Sequence, residues 1–329
     1  MTTPTLMIYG ATGYTGRMAA ENATAAGLKP ILGGRDAARL SALAEELGVE
    51  YRAFGLDDDA AVDAALAEVS ALLNCAGPFM RTAEVFMKAA IRCGVHYLDV
   101  AAELDSYLLA GTLDDQARAA GVMLLPGSGG SVAMLGCLAG HAAQRVSTPR
   151  RISIALHVTG SMSRGSMISA TENLTAECLR RTDGELTSRN PEDVRDFDFG
   201  AGAVTCQATT LPDLVTIWRA TKVPDIDTFV HVSGGGFPAG DLSALPNGPT
   251  AEERRANRYQ ATVEVEDQDG RTVRSLLDTV NGYTFTSLAA AEAARRVLAG
   301  EHRPGFQTPA GLFGNAFVET IADSRITDF

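Results

Sequence analysis

Leu6-Met7-Ile8-Tyr9, followed by Gly10-Ala11-Thr12-Gly13-Tyr14-Thr15-Gly16 and then by Arg17-Met18-Ala19-Ala20, is the stretch whose reading decides the fold. Four consecutive apolar residues predict a buried strand, and three glycines at three-residue spacing follow at once. Ala19, Ala20, Ala23 and Ala26 then give the next helix a side small enough to lie close against a sheet. Strand, glycine-rich turn and helix form the context in which such glycines read as a dinucleotide fingerprint. Gly10 permits the tight turn, Gly13 lets the backbone approach a pyrophosphate, and Gly16 allows close helix packing. Free N–H groups and the positive end of the helix then face the phosphates. The spacing is one residue longer at the front than the commonest form. The alternative is a structural glycine turn that holds no nucleotide.

Working outward, Pro30-Ile31-Leu32 predicts a second strand that ends in Gly33-Gly34-Arg35. An NAD enzyme usually places Asp or Glu here for the ribose 2′-hydroxyl, whereas Gly34 leaves room and Arg35 offers a bidentate, permanently charged partner for a 2′-phosphate. Asp36 is read as the N-cap of a helix through Leu40, Leu43 and Leu47. NADP(H) is therefore the expected cofactor. Ala53-Phe54-Gly55-Leu56 predicts a third strand, and Asp57 caps the following helix and lies near the adenine edge. Ala71-Leu72-Leu73-Asn74 predicts a fourth strand, running into Cys75-Ala76-Gly77-Pro78-Phe79, where small residues let the backbone approach the nicotinamide ribose and Pro78 and Phe79 wall the pocket. Cys75 reads as a small core residue, with no base nearby to make it a nucleophile.

His96-Tyr97-Leu98-Asp99-Val100 predicts a fifth strand, with Glu103 at its exit. Alternation puts Tyr97 and Asp99 on one face. A general acid needs a proton and reach to its substrate; Tyr97 carries one at neutral pH, and Asp99 would carry one if burial raised its pKa. Tyr97 or Asp99 is thus the candidate acid and Glu103 its orienting partner, while Asp99 or Glu103 serves equally as a helix cap. Gly121-Val122-Met123-Leu124-Leu125 predicts a sixth strand. The loop from Pro126 to Ser131 either presents N–H groups to an anion or crosses into the next domain. Residues 119–144 carry no Asp, Glu, Lys or Arg, but Pro126 and Gly127-Ser128-Gly129-Gly130 break them into a strand and a helix too short to span a bilayer.

The 329 residues are enough for two domains, and 28 basic against 40 acidic side chains leave a net charge of −12. That balance argues against nucleic acid or an anionic membrane as a partner. Five dispersed cysteines and the absence of a basic N-terminal head point to reduced thiols and a cytoplasmic location, with no membrane insertion. Five histidines show no metal-ligand spacing, so no metal is expected.

The combination Gly-Ala-Thr-Gly-Tyr-Thr-Gly, Gly-Gly-Arg, Asn-Cys-Ala-Gly-Pro-Phe and Tyr-Leu-Asp-Val-Ala-Ala-Glu resembles the saccharopine dehydrogenase-like family. That family includes saccharopine reductases and trans-acting enoyl reductases of lipid biosynthesis. The chain departs from the family pattern at Ala102, where Gly is usual, and at Ser128-Gly129, where Phe-Asp is frequent; both positions bear on the substrate rather than the cofactor. The resemblance implies an NADPH-dependent reductase that transfers hydride to a C=N or C=C bond of a small-molecule or lipid-like metabolite, and a homodimer. The alternative is a non-catalytic NADP(H)-binding sensor or partner protein.

Beyond Arg151 the pattern changes. Ile152 to Val158, Val204 to Thr210, Phe229 to Val232 and Thr262 to Val265 predict strands, Asp267-Gln268-Asp269-Gly270-Arg271 a hairpin turn, and Ala170, Leu174 and Cys178 mark a helix. The stretch from 233 to 258 is rich in Gly and Pro and reads as a lid or a surface excursion. Asn281-Gly282-Tyr283-Thr284 opens a helix closed by Gly300, and Pro304 to Pro309 resembles the segment with which the family's chain returns to its first domain. The expected fold is α/β: an N-terminal Rossmann-like, doubly wound parallel sheet with a second α+β domain. The expected boundaries are 1–126 for the dinucleotide-binding domain, joined by a return over 283–329, and 127–282 for a substrate or lid domain.

Overall fold

The structure, a computed structural model, describes residues 4–173, 177–233 and 246–329. The chain divides into two units, Met1–Gly130 with Thr286–Gln307, and Ser131–Phe285 with Thr308–Phe329. In the first, strands and helices alternate: β1 (Leu6–Tyr9), α1 (Tyr14–Ala25), β2 (Ile31–Gly34), α2 (Ala37–Leu47), β3 (Tyr51–Ala53), α3 (Asp59–Leu66), β4 (Ala71–Asn74), α4 (Phe79–Cys93), β5 (His96–Asp99), α5 (Leu104–Thr112), α6 (Asp114–Ala119) and β6 (Met123–Leu125). The strands lie side by side in the order β3-β2-β1-β4-β5-β6, every pair parallel. Strand order reverses between β1 and β4, and a dinucleotide binds beyond the carboxyl ends at such a switch point. β1 and β4 are buried along their whole length, as a parallel sheet covered on both faces requires.

Two elements sit earlier or shorter than their sequence suggests. The third strand is Tyr51–Ala53 rather than 53–56; Phe54 N–H makes the last bond to β2, donating to Gly34 O at 2.8 Å, and its ring packs 5.0 Å from Tyr9 and 6.5 Å from Phe86. The sixth begins at Met123, since Gly121 adopts a left-handed φ of +69° that turns the chain out of α6.

α7 (Gly130–Ala143) follows; nearly all of it is buried, so the uncharged run is core. The second unit's sheet contains β7 (Pro149–Thr159), β8 (Leu179–Thr182), β9 (Glu185–Ser188), β10 (Val194–Asp198), β11 (Ala203–Ala208), β12 (Asp225–Ser233), β13 (Tyr259–Asp267) and β14 (Thr272–Thr279). All pairs are antiparallel except β7 with β12. Besides α7, this unit holds residues of α8 (Arg164–Asn173), α9 (Asp213–Thr221), α10 (Ala251–Ala256) and α11 (Gly282–Leu298). Leu174 and residues 234–245, which belong to the expected helix and lid, lie outside the described residues. Within the rest of that stretch Thr250 and Glu253 form a reciprocal capping box on α10.

The return of the chain is divided. β15 (Gly305–Phe306) adds a seventh parallel strand to the first sheet, pairing with β6. After α12 (Pro309–Phe313), β16 (Arg325–Asp328) zips antiparallel onto β14 in the second unit instead. The second unit therefore holds 308–329 as well as 131–285, where the sequence had assigned everything from 283 onward to the first. Among the described residues, no helix is long and apolar enough to cross a membrane and no group of three metal-ligating side chains forms.

Candidate functional site

The glycine loop has the backbone its spacing predicts. Gly10 sits at φ +78°, and a Cβ there would stand 2.9 Å from the Ala76 nitrogen; a Cβ on Gly16 would stand 2.2 Å from the Gly10 carbonyl oxygen. Gly13 N–H donates to Gly10 O at 2.9 Å, closing the turn. α1 starts with Gly13 as its N-cap, no side chain caps it and its first turn carries no acid. By contrast α2 is capped by Asp36, α3 by Asp58 and α12 by Thr308. An uncapped, glycine-lined helix start with its partial positive charge unanswered is what a pyrophosphate fits. Gly10, Ala11, Thr12, Gly13, Tyr14, Thr15 and Gly16 together make this loop.

At the end of β2, Gly33 and Gly34 are buried and Arg35 is exposed, making no hydrogen bond or ion pair with any described residue. Asp36 turns away into α2, where its Oδ1 accepts from Arg39 N at 3.1 Å. The local arrangement thus leaves the guanidinium free for an anion and commits the adjacent carboxylate, Asp36, to the backbone. Asp58, not Asp57, caps α3, accepting from Ala60 N at 2.9 Å; Asp57 is free of that duty and exposed. Arg35 and Asp57 both act on Tyr9, whose phenol is pushed up first by burial, down by Arg35 and up by Asp57. One residue that sequence reasoning passed over belongs here. Arg39 Nη2 donates to Thr12 O at 2.7 Å, laying a second guanidinium against the glycine loop; its position one helical turn after Arg35 was the available signal.

The β4 exit is held by its neighbours. Asn74 Oδ1 accepts from Ala76 N at 3.0 Å, Asn74 Nδ2 donates to Thr82 Oγ1 at 2.9 Å, and Thr82 Oγ1 donates to Ala76 O at 2.8 Å. Cys75, Ala76, Gly77 and Pro78 therefore form a braced loop leading to Phe79 at the start of α4. Burial pushes the Cys75 thiol up to about 12, with Asp99 adding to the rise, so it carries no thiolate at neutral pH.

Tyr97, Asp99 and Glu103 do come together, but as a buried frame. Tyr97 and Asp99 have no exposed surface. Tyr97 OH donates to Asp99 Oδ2 at 2.7 Å, while Asp99 Oδ1 accepts from Ala101 N at 3.0 Å and from Gly127 N at 2.7 Å. The Asp99 main-chain oxygen accepts from Ser128 Oγ at 2.7 Å. Asp99 thus ties the loop after β5 to the loop after β6. Burial pushes its carboxyl up to about 6 against these donors, and the Tyr97 phenol is held well above its ordinary value by burial and by Asp99. Glu103 accepts from Phe79 N at 3.4 Å and Ala102 N at 3.0 Å, placing its carboxylate at the start of α4. Neither Asp99 nor Glu103 caps α5 through its side chain. With every polar atom of Tyr97 and Asp99 engaged internally, the geometry favours a positioning role over the proton donation expected from the sequence. Tyr97→Phe leaves a buried carboxylate oxygen without its donor, and we expect a loss of about 1–3 kcal/mol in thermal or urea unfolding. A variant as stable as the wild type would contradict that role.

The motif Ser163-Arg164-Gly165-Ser166 also finds a structural use within the second unit. Ser163 Oγ accepts from Ser166 N at 3.2 Å at the start of α8, and the Tyr283 hydroxyl accepts from Ser163 N at 2.7 Å.

Residues 6–125 match the family model described as the saccharopine dehydrogenase NADP binding domain. No curated protein matches the sequence. Among solved structures, the chain is similar to apo saccharopine dehydrogenase (L-Glu forming) from Saccharomyces cerevisiae, with 14% identity, 99% of this chain and 100% of that one covered, and a TM-score of 0.67. It is also similar to a probable dehydrogenase from Thermotoga maritima, with 13% identity, 95% and 93% covered, and a TM-score of 0.50. At such identities these likenesses speak for the fold.

Proposed function

From a chain whose residues 6–125 match the saccharopine dehydrogenase NADP-binding domain model, we propose an NADPH-dependent reductase acting on a C=N or C=C bond of a small-molecule or lipid-like metabolite. When bound, the cofactor supplies the hydride. The chain's own residues bind and orient it. Gly10–Gly16 and the start of α1 receive the pyrophosphate, Arg35 the 2′-phosphate, Asp57 lies at the adenine edge, and the braced Cys75–Phe79 loop backs the nicotinamide ribose. Tyr97, Asp99 and Glu103 hold the loops that shape that end of the site.

The observation that carries this reading is the pairing of a free Arg35 with an Asp36 committed to the α2 cap. Arg39 adds to it: Arg39→Ala is expected to weaken NADPH binding several-fold while leaving stability within about 0.5 kcal/mol, as for other exposed positions. Unchanged affinity would remove Arg39 from the site.

The reaction is tested by offering cyclic imines and α,β-unsaturated carbonyl compounds to the protein loaded with NADPH deuterated at the transferable position. Deuterium appearing in the product supports the reading, and the class of acceptor that consumes NADPH names the bond. The internal engagement of Tyr97 and Asp99 favours a second reading, a binding protein that reports NADP(H) without turning it over. NADPH that binds yet is never consumed across both acceptor classes supports that alternative.

A further inference from the structure

Three loops leave the carboxyl edge of the first unit's sheet, after β4, β5 and β6, and one buried run of hydrogen bonds joins them. At its centre Asp99 Oδ1 accepts from the Ala101 and Gly127 N–H groups, and Asp99 Oδ2 accepts from the Tyr97 hydroxyl. Asn74 Nδ2 reaches the Tyr97 oxygen at 3.4 Å and also donates to Thr82 Oγ1, while Asn74 Oδ1 accepts from Ala76 N. A backbone N–H only donates, so the Asn74 oxygen has to face Ala76 and its NH₂ has to face Tyr97. Asp99 is thus connected to the Cys75–Phe79 loop through Tyr97 and Asn74, and none of the three side chains has exposed surface.

Donors and acceptors match along this path only while Asp99 is ionised. A proton has to settle on Oδ2, because two N–H groups already meet Oδ1. The protonated oxygen then donates to Tyr97, and the phenol must turn its own hydrogen elsewhere. Among the described residues its other hydrogen-bond partner is Asn74, which faces it with a donor. Turning the amide over supplies an acceptor but withdraws the oxygen from Ala76 N, which is left facing an NH₂ group. A buried mismatch of this kind is costly wherever it rests, and the loop at the end of the path can relieve it by letting go. Burial pushes the Asp99 carboxyl up, the Gly127, Ala101 and Tyr97 donors hold it down and Glu103 raises it again, leaving it at about 6. The remaining titratable groups at the frame are Cys75, from the loop after β4, and Tyr107 on α5, whose hydroxyl donates to Ala101 O.

We propose that Asp99 is a proton-operated latch on the Cys75–Phe79 loop: ionised, it keeps the loop braced for a dinucleotide, and protonated, it frees the loop and weakens binding. This regulation rests on the cofactor reading above, in which that loop backs the nicotinamide ribose. Since binding favours the ionised form, affinity is level above about pH 6 and falls as pH drops below it. At pH 5 about one-tenth of the free chain is in the ionised, competent form, so affinity is reduced by up to about tenfold.

The test uses the full chain and two readouts. The first is NADH affinity from pH 5 to pH 8; NADH lacks the 2′-phosphate, a monoester that itself titrates at about pH 6. Wild-type affinity is expected to be level down to about pH 6 and up to about tenfold weaker at pH 5. Asp99→Asn, whose amide donates where the protonated acid would, is expected to bind weakly at every pH. Tyr97→Phe, which cuts the path to Asn74, is expected to lose the pH dependence. The second readout needs neither variant nor cofactor: hydrogen exchange of the Ala76 amide in the wild type, followed by NMR and corrected for the intrinsic effect of pH. Its protection should drop as pH falls through about 6. Binding of neither NADPH nor NADH at any pH would overturn the cofactor reading and this regulation with it. Binding with a level NADH affinity across the range, or Ala76 protection that does not change with pH, would overturn the latch alone.

Discussion

Gly16→Ala is expected to abolish NADPH binding and to lower the melting temperature. The added methyl would lie 2.2 Å from the Gly10 carbonyl oxygen and 2.8 Å from its carbon. Both are backbone atoms, so no rotamer change relieves the overlap. Either α1 retreats from β1 or the turn at Gly10 opens, and each outcome displaces the N–H groups that would meet the pyrophosphate. Overpacking of this kind costs about 1–3 kcal/mol. Gly111→Ala is the matched control: it lies within α5, a Cβ there meets nothing within 4 Å, and exchanging glycine for alanine inside a helix gains about 0.5–1 kcal/mol. NADPH titration by nicotinamide fluorescence and thermal melts of both variants check this. Tight NADPH binding by Gly16→Ala would mean that the close approach of helix and turn does not shape the site.

Asp213→Asn is expected to stabilise the protein at pH 8 and to have little effect at pH 5. Asp213 opens α9 with no exposed surface, and neither carboxylate oxygen has a hydrogen-bond partner among the described residues. Burial pushes its carboxyl up to about 7. The folded-state value lies above the ordinary one, so between about pH 4 and pH 7 the folded chain holds this proton more tightly than the unfolded chain. Stability from this group is present below that window and lost as pH rises through it, by at most about 4 kcal/mol. Asparagine removes the titration but still buries an unpaired amide, so the net gain at pH 8 is about 1–3 kcal/mol. Asp99, also raised, contributes a loss of the same sign, and comparing variant with wild type isolates Asp213. The protein has one tryptophan, Trp218 on the same helix, so its fluorescence reports the transition locally. A difference between variant and wild type that is equal at both pH values would contradict the buried, titrating carboxyl.

Legibility in the sequence followed the range of the interactions. The Gly10–Gly16 loop, the Asp36 cap and the Gly33-Gly34-Arg35 strand end are local, and adjacent residue types determine them. So is the apolar run that becomes β6 and α7. The frame around Asp99 is tertiary: its partners Gly127 and Ser128 are 28 and 29 residues away, and only the fold reveals that the carboxylate serves two loops. Alternation placed Tyr97 beside Asp99 but could not show that both are sealed from solvent. β8 escaped notice because Leu179-Arg180-Arg181-Thr182 reads as an exposed, charged segment. Arg181 is buried, its Nε donating to Leu214 O at 2.7 Å, and Arg180 pairs at 2.8 Å with Asp227 on β12. The divided return had a similar cause: β15 and β16 are two and four residues long, too short for periodicity to announce which sheet each would join.

The most direct test of the cofactor assignment is a titration of the purified chain with NADPH and NADH, repeated with Arg35→Ala. Arg35 should contribute a charge-assisted hydrogen bond to the 2′-phosphate worth about 1.5–3 kcal/mol, roughly a 10- to 100-fold preference for NADPH. Arg35→Ala should bring NADPH down to the affinity of NADH and leave NADH unchanged. Equal binding of the two cofactors by the wild type, or an NADPH affinity indifferent to the substitution, would contradict the account.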